Sequence, residues 1–212
     1  MPSTFLTQQN TDDLLDRATG ALRAVLARPM PAGSEQAMEQ LLPPVGAHVV
    51  YVSTPITTGP AYLDWLIAHR DAPAADRERA REAMIRANIA AVVPLVRAVP
   101  DRVPGAHVID PTALDDVPGW AQADYHRFWA EVIVALVDEV VFADGWTASV
   151  GCSVEFAVTM LRHVPARRSD FTALTERDGL EQILAMVPRV QAAGASDEMH
   201  MAVAATLSRD PQ

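Results

Sequence analysis

The chain is 212 residues long, half of them apolar and about a fifth charged, enough to bury the core of one domain with extensions or at most two small domains. All 17 basic residues are Arg and none is Lys, which excludes a Walker-type phosphate loop, a pyridoxal Schiff base and any lysine nucleophile. The formal charge of −10 argues against a sequence-independent grip on DNA or RNA, which needs a basic face. A helix N-terminus could still hold one small anion. Cys152 stands alone, so no intrachain disulfide is possible. Residues 1–10 lack the basic start and apolar stretch of a signal peptide. The apolar runs at 89–93 and 132–137 are too short to cross a bilayer. A soluble, cytoplasmic protein with no membrane partner is expected.

Residues 11–28 place Leu14, Leu15, Ala18, Leu22, Val25 and Leu26 at helical spacing, with Thr11, Asp12 and Asp13 as the start signal. A second short helix begins at Ser34 and stops before Pro43 and Pro44. No Gly/Ser linker follows, so this N-terminal extension (1–45) is expected to pack on the core. The run 48–53 (H-V-V-Y-V-S) is the first strand, and its lack of polar alternation suits a central parallel strand covered on both faces. A short helix is expected at 62–69 and a long one at 76–99, carrying the stripe Ile85, Ile89, Val92, Val96 and Val99. Pro94 should kink or divide that helix.

The order then repeats. Residues 106–109 form a second strand, 122–138 an amphipathic helix, 139–143 a third strand and 151–163 the helix after it. A weak fourth strand is placed at 163–166. Helices at 174–191 and 197–208 close the chain, the last capped by Ser196. Strands alternating with helices imply βαβ units. The expected fold is therefore α/β, a flavodoxin- or Rossmann-like parallel sheet of four to five strands over 46–168, flanked by helices, with C-terminal helices over 169–212.

Ligands of open parallel sheets bind beyond the carboxyl ends of the strands. Here that edge comprises 53–59, 110–112 and 144–149. The segment from Asp144 through Gly145, Trp146 and Ser149 to Gly151 and Glu155 runs from strand end through a tight loop into a helix. Ser149 reads as the N-cap, and Gly151 lets a ligand approach the backbone. Glu155 would sit near the first turn, where the helix dipole favours the carboxylate. An ionised carboxylate at this edge suits attack on an electrophilic sugar carbon. Acids in first turns and Gly/Ser loops are also ordinary helix-start and turn chemistry, so the pattern alone leaves both readings open.

Tyr51-Val52-Ser53-Thr54-Pro55-Ile56, Asn88, Val108-Ile109-Asp110-Pro111 and the stretch from Gly145-Trp146 to Ser149, Gly151 and Glu155 resemble the nucleoside 2-deoxyribosyltransferase-like superfamily. The resemblance covers about residues 48–163. It implies a flavodoxin-like fold and cleavage of an N-glycosidic bond. It makes Glu155 the nucleophile that forms a glycosyl-enzyme ester, Asp124 the acid that holds or protonates the base, and Tyr51 the group that orients Glu155. Ser53, Pro55, Ile56, Asp110, Asp144, Gly145, Trp146, Ser149 and Gly151 would then line the substrate site, with a 5'-phosphate seated on the Ser149–Gly151 turn.

Each assignment has a plain structural counterpart: Asp124 as a helix-start acid, Tyr51 as a packed aromatic, Asn88 as a clamp on the loop after the first strand. Asp144 could bond its own turn, and Trp146 could pack on protein. His126 reads as a packing residue. Thr54 stands where the family often has Gly, and 59–75 reads as an insertion. The transferases use an Asn from a neighbouring subunit, and this chain has only Asn10 and Asn88, so a hydrolase is expected over a transferase. No cofactor or metal is implied, since Cys152 is solitary and the His residues lack ligand spacing. The expected partner is a small nucleoside or nucleotide, and the apolar helix faces suit a homodimer or higher homo-oligomer. The rival readings are a non-catalytic nucleotide or nucleobase sensor, and an accessory protein bound through its terminal helices.

Overall fold

The computed structural model describes residues 14–114 and 116–209. At its centre is β1 (Val49–Ser53), buried at every position. β2 (His107–Ile109) pairs with one side of β1 and β3 (Glu139–Phe142) with the other, both parallel to it. β4 (Ala166–Arg168) adds to β3, giving a four-stranded parallel sheet in the order β2-β1-β3-β4. In chain order the helices are α1 (Gly20–Leu26), α2 (Ser34–Glu39), α3 (Pro60–Ala68), α4 (Ala74–Arg102), α5 (Gln122–Leu136), α6 (Val150–Leu161), α7 (Glu176–Ala192) and α8 (Glu198–Leu207). This is the α/β architecture expected from the sequence.

The period of two along a strand explains the unbroken apolar run in β1. Val49 and Tyr51, with Ile109, Val140 and Phe142, face a core shared with α1, α5, α6 and α8. Val50, Val52 and Val141 face the other way, onto Val92 and Val99 of α4. Leu22 and Val25 of α1 and Val203 and Leu207 of α8 belong to the same buried cluster as Tyr51. Both terminal extensions therefore pack on the core.

Several element boundaries differ from expectation. The helix expected over 11–28 is divided: 14–17 are helical, Ala18 and Thr19 are not, and α1 begins at Gly20. Gly20 takes a φ of 51°, and the Thr19 N–H donates to Thr206 Oγ1 on α8 at 3.1 Å. The contact with α8 thus replaces a helical bond. The start signal at Thr11 to Asp13, residues 1–10 and Asn10 lie outside the described residues. α4 runs through Pro94 and Pro100 without dividing. By length and composition it is also, among the described helices, the one long and apolar enough to cross a membrane; in this fold its Val92 and Val99 are buried against the sheet. The fourth strand starts later than expected because His163, with φ 55°, is still turning the chain after α6.

α7 reaches the core through Gly179, where an added Cβ would lie 2.0 Å from Cζ of the buried Phe156 ring. Ala is the better helix former by about 1 kcal/mol, but overpacking of this kind costs about 1–3 kcal/mol. Gly179→Ala is expected to lower the urea midpoint of unfolding. A raised midpoint would show that the Phe156 ring gives way and that the contact is loose.

Candidate active site

From β1 the chain crosses to β2 on one side, and from the adjacent β3 it crosses to β4 on the other. Chain connections diverge at such a point and open a crevice at the carboxyl ends of the strands. Tyr51 and Ser53 are two residues apart on β1 and so share the face toward α6. From β3 the chain turns at Gly145, whose φ of 75° suits glycine and where a Cβ would lie 2.5 Å from Pro60 at the start of α3. A 3-10 turn (Trp146–Ala148) follows. Ser149 then caps α6, its Oγ accepting from the Cys152 N–H at 3.4 Å.

α6 is buried nearly all round, as expected of a helix whose residues are almost all apolar or small. Its hydroxyls are satisfied internally: Ser153 Oγ donates to the Ser149 carbonyl at 2.9 Å and Thr159 Oγ1 to the Glu155 carbonyl at 2.7 Å. Glu155 is the one ionisable acid in this helix. Ser53 Oγ donates to its Oε2 at 2.6 Å. The Tyr51 hydroxyl is fully buried beside the same carboxylate but makes no hydrogen bond of normal geometry. Burial, then the charges of Glu155 and Cys152, push the Tyr51 phenol up, so it stays protonated.

Glu155 lies in the second turn of α6, past the reach of the helix dipole. The expectation that the dipole keeps it ionised is therefore corrected. Burial dominates and holds its carboxyl up at about 7, against the downward pull of Ser53 and Tyr51. Among the buried acids, Glu131 pairs with Arg127 at 2.7 Å and Glu139 pairs with Arg167. No such cation is recorded against Glu155 among the described residues. Cys152, one turn earlier, is pushed far up by burial and by the Glu155 charge, so it is a thiol and not a nucleophile.

Glu155 lines a cleft of about 270 Å³. Cys152, Ser149 and Gly151 share its α6 wall; Thr54, Ile56, Thr57 and Thr58 come from the loop after β1. Ile85 and Ile89 of α4 and Gln122, Tyr125, His126 and Trp129 of α5 complete the walls, with Pro111, Thr112, Leu114 and Asp116 at the third edge. A more open groove of about 420 Å³ lies beside the start of β4, where its Arg167 is already paired with Glu139. Among the described residues no three His, Cys, Asp or Glu side chains converge as a metal ion would require.

The structure brings Glu155, Tyr51, Ser53, Ile56, Ser149 and Gly151 together at this cleft or directly beneath it. Pro55 is buried just behind it. Asn88 Nδ2 donates to the Ile56 carbonyl at 2.9 Å, so it clamps the loop after β1. Other expected site residues serve the fold. Asp124 caps α5 by accepting from the Ala121 N–H at 2.8 Å and pairs with Arg28 at 2.7 Å. These contacts, Arg28 first, hold its carboxyl below the usual range, and its side chain does not line the cleft. Asp110 accepts from the Thr112 N–H and hydroxyl, closing its own turn. Asp144 is exposed and accepts from Ser169 Oγ. Trp146 is 5 % exposed and packs on Phe142 and Phe156, a wall of the core and not of the cleft.

His126, read from the sequence as a packing residue, is 8 % exposed and also lines the cleft, which sequence reasoning missed. Its Nε2 meets Gln122 Nε2 at 3.2 Å, and Thr57 Oγ1 donates to Gln122 Oε1 at 3.1 Å. Accepting from the Gln122 amide makes Nε2 the unprotonated nitrogen. Burial lowers its pKa to about 4, so the ring is neutral near pH 7. A Cβ at Gly151 would lie 3.4 Å from this ring; the glycine admits the imidazole to the start of α6. Gln122 and His126 are one helical turn apart, but nothing local in the sequence shows that their side of α5 faces the cleft.

The Glu155 carboxyl titrates near 7 when folded and near 4.5 when exposed. Between those values the folded chain keeps a proton that the unfolded chain has lost, so stability falls as pH rises from about 4.5 to about 7. Glu155→Gln removes this slope and keeps an acceptor for Ser53. Its stability relative to wild type should therefore be higher at pH 8 than at pH 4.5 by on the order of 3 kcal/mol in urea unfolding. Equal offsets at the two pH values would mean an ordinary, solvated carboxyl. Comparison of the chain with family models, curated proteins and solved structures finds no match.

Proposed function

We propose that this cleft hydrolyses the N-glycosidic bond of a small nucleoside-type substrate through a covalent glycosyl-Glu155 intermediate. The observation that carries this reading is the Glu155 carboxylate: buried, without a cation, bonded by Ser53 and exposed on one side to a cleft at the sheet's switch point. Such a group is costly to keep for stability alone. The resemblance of 48–163 to the nucleoside 2-deoxyribosyltransferase-like superfamily points the same way.

In this mechanism Ser53 holds Oε2 and leaves Oε1 to attack the anomeric carbon. The protonated Tyr51 hydroxyl beside the carboxylate favours the anion. The ester is then resolved by water, which restores the carboxylate. Asn88 is committed to the Ile56 carbonyl, so it is not the acceptor-side asparagine of a transferase, and hydrolysis is the reaction proposed. A second reading, a sensor on the same fold, draws on one observation: Asp124 is held by Arg28 away from the cleft.

The test is base release, followed by chromatography, from a panel of ribo- and deoxynucleosides and their 5'-monophosphates. Glu155→Gln should reduce kcat by at least about 10³-fold. Because the anion is the reactive form, kcat/KM should rise with pH through about 7. Ser53→Ala removes a contact that lowers the Glu155 pKa, so it should lower kcat and move this limb to higher pH. Ligand-dependent thermal stabilisation with no base release from any substrate would favour the sensor.

A further inference from the structure

Resting on that reading, we infer that the cleft takes a nucleoside whose heteroaromatic base carries a positive charge, and which bears no 5'-phosphate. The first ground is charge. Glu155 at the floor and Asp116 at the mouth are the charged side chains that line the cleft among the described residues, and no Arg lines it. A phosphate dianion would meet two acids and no cation, whereas a cationic ring would be attracted by both.

The second ground is the start of α6. The 5'-phosphate seat implied at Ser149–Gly151 needs several free donors, and the protein uses two of its backbone N–H groups itself. The Val150 N–H donates to Thr58 Oγ1 at 3.3 Å, and the Cys152 N–H to Ser149 Oγ at 3.4 Å. The Ser149 and Thr58 hydroxyls also bond each other at 3.0 Å. The neutral His126 ring closes the same end.

The third ground is proton supply. A neutral base leaves well only if an acid protonates it. Glu155 must be an anion to attack, Asp124 is ion-paired outside the cleft, and His126 is an acceptor at Nε2 with its pKa near 4. A base that is already cationic needs no proton. Glu155 Oε1 bonds to the anomeric carbon as the C–N bond breaks. The bonding pair passes to the ring nitrogen and cancels its charge, and the base departs neutral. Water then cleaves the ester, giving free sugar, a proton released to solvent and the Glu155 carboxylate. Trp129 and Tyr125 line the cleft wall, and aromatic rings attract a cationic one.

The experiment compares nicotinamide riboside and 7-methylguanosine with adenosine, guanosine and their 5'-monophosphates, using the full chain and measuring base release. The expected result is a kcat/KM at least 100-fold higher for the cationic nucleosides, with a solvent deuterium isotope effect near unity on base departure. Binding to Glu155→Gln, followed by calorimetry, should favour nicotinamide riboside over its neutral dihydro form by about tenfold. Asp116→Asn should weaken that binding several-fold more than it weakens the binding of guanosine. Guanosine or a 5'-monophosphate cleaved as well as the cationic substrates would overturn this inference and leave the glycosidase reading standing. No base release from any compound would overturn both.

Discussion

The structure turns on a carboxylate left without a counter-charge. Glu131 and Glu139 are buried beside Arg partners, so each behaves as half of a neutral pair. Glu155 has a serine hydroxyl at 2.6 Å and a tyrosine hydroxyl nearby. Neutral donors offset only part of the cost of dehydrating a charge, which is why burial raises its pKa. The surrounding fold bears that cost: α6 is otherwise apolar, its own hydroxyls are satisfied locally, and β1 supplies donors on the one face that reaches it. The same lack of a cation that makes the group costly to bury keeps it available to a ligand.

The sheet order explains why the two donors and the carboxylate meet. Ser53 and Glu155 are 102 positions apart, yet β1 and β3 are hydrogen-bonded neighbours with Ser53 opposite Phe142. The helix that follows β3 must therefore begin beside the end of β1. The long α4 covers the opposite face of the sheet and contributes Ile85 and Ile89 to the far wall of the cleft. Floor and wall are thus set by different layers of one sheet.

Much of this was legible in the sequence because it is local. The V-V-Y-V-S run, the strand–turn–helix from Glu139 to Glu155 and the clamp by Asn88 follow from residue type and spacing. What was not legible depends on distant partners. The resemblance makes Asp124 a site acid, but Arg28, 96 residues away, pairs with it. Asp144 reads as a strand-end ligand group, but Ser169 beyond β4 holds it. Trp146 stands among the substrate-lining residues until Phe142 and Phe156 are seen to enclose it. His126 reads as a packing residue, and its place in the cleft wall stayed hidden because nothing local tells which side of α5 faces the crevice. The break at Thr19 escaped notice for the same reason: its hydrogen-bond partner is Thr206.

The contact between Gly145 and Pro60 joins the turn after β3 to the first residue of α3, with a clearance too small for any side chain. Gly59 makes an equally tight approach to Pro55 on the same stretch. The loop after β1 and the turn after β3 therefore meet backbone against proline ring, and a side chain added at Gly145 would have to wedge apart the two segments that carry Ser53 and Ser149.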